Sequence, residues 1–237
     1  MTFINYIPIF TTLFSLYFAR AVFARYRAKG KGMHLLWWGA GIVLYGVGTL
    51  TESWVTLVGW HPYVFKLWYI SGALLGGALL AQGTVYLLAR PKVAQRWTRA
   101  LIVAVTVAST AVILSPLNHT LVQPHHLSGK VFEWQWVRYF SPFINTYAFI
   151  FLVGGAVISA MRYKKSPKTR HRYLGNIFIA VGALLPGIGG TFTRLGYTEV
   201  LYVTEFIGLV LIYNGFLLST RHRTQKKEVG LKGEQIP

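Results

Sequence analysis

The sequence predicts an all-α polytopic membrane protein, a seven-transmembrane-helix bundle with its N-terminus outside and its C-terminus in the cytoplasm. Three observations carry that expectation. The chain is 54% apolar and 13% charged, about half the charged share of an ordinary globular protein. Seven runs approach the roughly 20 mainly apolar residues that cross a bilayer core. The Lys and Arg residues fall between those runs in a strongly alternating pattern.

The first run, about 4–24, has no positive leader before it, and its basic cluster follows it. That order predicts a retained helix inserted N-terminus out. The second, about 34–57, carries Gly39, Gly41, Gly46 and Gly48, and the third, about 64–89, carries Gly72, Ala73, Gly76, Gly77, Ala81 and Gly83. Small residues at such spacing allow close helix approach inside the bundle. The fourth run, about 98–115, is the shortest, and the fifth spans about 140–161. The sixth, about 174–193, contains Pro186 among glycines. A missing amide donor there predicts a kinked or opened hinge, tolerated at membrane depth where it lines a cavity. Only Leu195 to Thr198 separate it from the seventh, about 199–219, and residues 220–237 read as a basic, disordered cytoplasmic tail.

Of the 24 Lys and Arg residues, 20 lie in the loops and tail at one end, and Lys66, Lys130, Arg138 and Arg194 lie at the other. The positive-inside rule makes the first end cytoplasmic, in a multi-pass protein of the plasma membrane. With a net charge of +18 divided among short loops, the expected partners of those loops are anionic lipid headgroups and no nucleic acid. The long external connection, about 116–139, contains Val131 to Val137, which in extended form would put Phe132, Trp134 and Trp136 on one side. Such a strand would act either as a lid or as part of the interfacial aromatic belt.

The chain has no cysteine or aspartate, and its six carboxylates are Glu52, Glu133, Glu199, Glu205, Glu228 and Glu234. Glu52 and Glu205 fall within the second and seventh runs, roughly 7 to 9 Å below their outer ends at 1.5 Å per residue. Ionisable groups at that depth suggest function by default. Lys66, Tyr69, Asn145 and Arg194 belong to the same level, with Trp54 and Trp68 as candidate walls of an outward-facing ligand pocket. The other readings are that Glu52 pairs with Lys66 and Glu205 with Arg194, fixing helix register, or that these groups are simply exposed at the interface. Gln82, Asn176 and Asn214 lie deeper, where interhelical hydrogen bonding is the ordinary role. No histidine falls at mid-membrane, so neither haem nor a metal is expected, and His125-His126 reads as a loop pair. No cofactor is implied. The seventh run contains no lysine for a retinal Schiff base.

Several short motifs resemble the seven-transmembrane N-terminal sensor region of bacterial histidine kinases. They are Leu50-Thr51-Glu52-Ser53-Trp54, Lys66-Leu67-Trp68-Tyr69-Ile70-Ser71, Ser115-Pro116-Leu117-Asn118-His119, the Trp-containing external segment, and Gly182-Ala183-Leu184-Leu185-Pro186. The resemblance spans about 34–218. It implies a non-enzymatic sensor or receptor-like module for a small ligand or lipid. No kinase domain follows the seventh run in this sequence, so signalling would need a separate cytoplasmic partner. Arg25-Tyr26 and Arg162-Tyr163 precede the second and sixth runs. They hint at two three-helix repeats joined by the fourth helix, and with the buried acids and Pro186 they frame the alternative, a small secondary transporter.

Overall fold

The computed structural model describes residues 3–220, except the Arg194 side chain. Seven helices long and apolar enough to cross a membrane account for most of it. They are α1 (Phe3–Lys29), α2 (Met33–Leu57), α3 (Pro62–Leu88), α4 (Pro91–Leu114), α5 (Gln135–Tyr163), α6 (Pro167–Thr193) and α7 (Thr198–Thr220). The expected tail lies outside the described residues.

Each helix runs past its apolar stretch where local chemistry allows. Pro62, Pro91 and Pro167 occupy first-turn positions of α3, α4 and α6, where proline loses no hydrogen bond and its fixed φ suits the helix. Helix α4 therefore begins seven residues before the apolar run at 98, and α6 begins well before 174. The basic residues on these added turns extend beyond the lipid core, so their charge does not stop the helix. Helix α1 ends at Gly30, whose φ of 65° lets its N–H return to the Tyr26 and Arg27 carbonyls, the left-handed cap that glycine provides.

Six helices form a ring in the order α1, α2, α3, α5, α6, α7, and α4 lies outside it against α3 and α5. The most extensive pair is α6 with α7, made possible by glycines on both. A Cβ added to Gly182 would sit 2.6 Å from the Gly208 carbonyl oxygen, and one on Gly175 2.8 Å from that of Gly215. Backbones in that proximity gain dispersion contacts that larger residues would prevent.

Two stretches widen into π-helix, Tyr69–Gly76 in α3 and Phe149–Gly154 in α5. Pro186 does not open its helix: α6 is continuous through that residue. The wide turns in α3 and α5 are the type of helical irregularity often found at functional sites.

The connection from Ser115 to Trp134 folds over the ends of the bundle without forming a strand. Short 3-10 turns interrupt it, and Phe132 meets Leu117 only at an isolated bridge. Leu127, Val131 and Phe132 are buried against Phe65, Trp68 and Tyr69. Trp134 and Trp136 face outward, stacked on each other with ring centroids 5.9 Å apart. Phe132 and the two tryptophans therefore do not share one face, because the turn at Gln135 rotates the tryptophans away.

Candidate functional site

At the long-loop end, α2, α3, α5, α6 and α7 surround a cavity of about 1200 Å³. Five residues singled out in the sequence line it: Glu52, Trp68, Tyr69, Asn145 and Glu205. Pro186 lines it as well.

Glu52 is 2% exposed, and its Oε1 accepts a 3.0 Å hydrogen bond from Trp68 Nε1. Glu205 faces it from α7, and the two carboxyl groups lie within hydrogen-bonding reach. Both Oε2 atoms are buried with no hydrogen-bond partner. A hydrogen bond between carboxyl groups requires a proton on one of them. Two carboxyl groups so placed are chemically able to share one proton or to accept from a donor brought into the cavity. Tyr45 fixes this pair from α2 by donating to the Glu205 backbone carbonyl at 3.0 Å.

The opposite wall is built on the wide turn of α3. The Ala73 carbonyl there accepts bonds from Asn145 Nδ2 at 3.3 Å and Ser141 Oγ at 3.4 Å. Asn145 also meets Ser141 Oγ at 3.0 Å. Helix α5 thereby satisfies a carbonyl at the altered turn and keeps its polar face on the cavity.

Two expected pocket residues lie elsewhere. Lys66 does not reach Glu52, because its ammonium group donates to the Ile113 and Ser115 carbonyls at 2.6 and 3.0 Å. The free carbonyls and dipole at the end of α4 attract that cation. Trp54 points away from the bundle and is 48% exposed, because its position on α2 faces away from the buried Glu52 side. Arg194 directly follows α6, as the last residue of the same helical stretch, and its side chain, with the Glu205 pairing expected of it, lies outside the described residues.

The cavity mouth adds residues that periodicity did not identify. Lys130, Gln135 and Arg138 line it, and Arg138 Nη1 donates to Gln135 Oε1 at 2.7 Å. Their position in the long connection was visible, but the folding of that connection back over the bundle was not. His125 and His126 have separate partners: His125 Nδ1 lies 3.1 Å from the Val55 carbonyl, and His126 Nδ1 lies 3.0 Å from Thr198 Oγ1. The pair clasps the loop to α2 and α7.

Of the deeper amides, Gln82 is interhelical as expected, bridging α3 to α4 and α5. Asn176 and Asn214 instead bond to carbonyls one turn earlier in their own helices, at Arg172 and Val210. No protein-family model matches this chain, and no curated protein matches it.

Proposed function

We propose that this chain is a non-enzymatic, receptor-like membrane module that binds a small ligand or lipid in an outward-facing cavity. The observation that carries this reading is the Glu52–Glu205 pair, whose buried Oε2 atoms lack external donors at the inner part of a large open cavity. A pair serving only helix register would satisfy its acceptors internally, as most buried polar groups do. The resemblance to the sensor regions of histidine kinases points the same way. A separate cytoplasmic partner would receive the signal, and the basic end would rest on anionic lipid in the plasma membrane.

The carrying experiment is native mass spectrometry of the protein purified in mild detergent. A defined co-purifying mass is expected on wild type, with occupancy reduced about tenfold or more in Glu52→Gln/Glu205→Gln. An empty wild type, or equal occupancy of the variant, would overturn the reading.

A second reading, a small secondary transporter, is favoured by one feature: two buried carboxyl groups able to share a proton at the cavity floor. Intramembrane carboxyls commonly mark proton paths. Liposomes separate the two readings, since a receptor binds without net flux and a transporter moves the bound species across.

A further inference from the structure

The cavity is open at its side as well as at its mouth. Helix α6 packs on α5 along Phe149–Tyr163, whereas Phe140–Ala148 has no substantial packing against α6. The two helices diverge toward the long-loop end, and residues on both edges of the resulting slot are exposed and line the cavity: Asn145 and Phe149 on α5, Gly187, Ile188 and Thr191 on α6. A Cβ at Gly187 or Gly190 would meet no atom within 4 Å, so the α6 edge is bare backbone beside open space. In a bilayer this slot faces lipid.

The charges of the cavity are arranged by height. Lys130 and Arg138 line the mouth, where Arg138 Nη1 donates to Gln135 Oε1. Deeper lie Glu52 and Glu205, with two buried oxygens lacking external donors, beside the Trp68 and Tyr69 rings. A cationic rim suits a phosphate. An ammonium group offers three donors to the carboxyl pair and is attracted by aromatic faces.

We propose that the ligand is a phospholipid carrying a primary amine in its headgroup, admitted sideways between α5 and α6. Its phosphate contacts Lys130 and Arg138, its ammonium group reaches Glu52 and Glu205, and its acyl chains remain in the slot along Phe149, Ile188 and the Gly187 edge. The inference rests on the receptor reading and adds the class of ligand and its route.

The test uses the full chain in vesicles containing phosphatidylethanolamine with a photoreactive diazirine in one acyl chain. Parallel vesicles carry the same probe on phosphatidylglycerol. Adducts from the amine-bearing probe are expected on Asn145 to Phe149 and Gly187 to Thr191. Their yield should fall about tenfold or more in Glu52→Gln/Glu205→Gln, in line with the loss of charge-assisted hydrogen bonds. Gly187→Trp should fill the slot and lower the yield similarly while elution volume and thermal midpoint stay at wild-type values. Equal slot labelling by the glycerol probe would overturn the amine assignment. Unchanged labelling of Gly187→Trp would overturn the lateral route. If native mass spectrometry finds a glutamate-dependent ligand and the slot stays unlabelled, this inference falls and the receptor reading stands. If neither binding nor labelling is found, both fall.

Discussion

Two buried polar clusters occupy the same bundle, and they are built on opposite principles. Toward the basic end, Gln82 is fully buried, and every polar atom of its amide group has a partner. Its Nε2 donates to the Ala94 carbonyl at 3.1 Å and to Thr98 Oγ1 at 2.8 Å, and its Oε1 accepts from Tyr147 OH. Thr98 Oγ1 in turn meets Tyr86 OH at 3.0 Å. Toward the long-loop end, Glu52 and Glu205 bring two acidic groups together and leave an oxygen of each without an external donor. A closed network fixes three helices in register. An open pair is a poor way to fix anything, because an unmatched buried acceptor costs more than a satisfied one contributes. The difference separates a closed polar cluster from an open one within the same molecule.

Removing the closed network should have the largest effect. Gln82→Leu deprives α4 and α5 of their shared partner and leaves Tyr147 OH and Thr98 to find others. Interhelical bonds in membranes contribute from about 0.6 to 1.7 kcal/mol each, so a loss of about 2 to 4 kcal/mol is expected for the set. Reversible denaturation in mixed micelles measures it. A loss below about 0.5 kcal/mol would show that Gln82 is no more structural than the glutamates.

The open pair should respond differently to charge and to shape. Glu52→Gln keeps an acceptor for Trp68 Nε1 and supplies an N–H to Glu205, so its stability should stay within about 1 kcal/mol of wild type. Glu52→Ala strands both partners and should cost about 1 to 3 kcal/mol. Infrared difference spectroscopy gives the sharper comparison. The wild type should show the carbonyl stretch of a protonated, hydrogen-bonded carboxyl group, and Glu52→Gln/Glu205→Gln should lack that band. A wild-type spectrum without it would mean that the two groups hold no common proton.

Most of the fold was legible in hydropathy, and most of the site was legible only in part, for physical reasons that differ. Apolar length alone located seven helices, yet it ended α4 and α6 at their charges. The starts at Pro91 and Pro167 were present as first-turn prolines, a signal of chain geometry that hydropathy does not contain. The seven-residue spacing of Gly175, Gly182 and Gly189, of which the first two face Gly215 and Gly208 and the third Leu201 and Thr204, was equally readable and marks the most extensive helix pair. Glu52 and Glu205 were found because carboxyl groups at membrane depth are rare. Lys66 and Trp54 were misplaced because shared depth says nothing about the direction a side chain takes around its helix. The wide turns in α3 and α5 have no residue signature comparable to proline, and with them the positions of Asn145 and Ser141 on the Ala73 carbonyl were out of reach.

The smallest effect belongs to the clasp that closes the loop over the open site. Burial holds the His126 imidazole below its ordinary value. Glu199 opposes that shift, and Lys130 adds to it. A folded-state value below the unfolded value of about 6.5 means that the unfolded chain takes up the proton more readily. The stability supplied by neutral His126 is therefore complete above about pH 6.5 and declines as pH falls through the lowered folded-state value. In the folded protein, protonation also makes both ring nitrogens donors, so only the Thr198 lone pairs remain to receive them. His126→Gln keeps a hydrogen-bonding group near Thr198 and removes the titration. The thermal midpoint of wild type should fall more than that of the variant between about pH 7.5 and about pH 5.5. Gln82→Leu leaves His126 and its Thr198 partner in place, so it should retain the wild-type pH dependence despite its lower stability. Identical pH profiles for wild type and His126→Gln would remove the clasp from the description of the site.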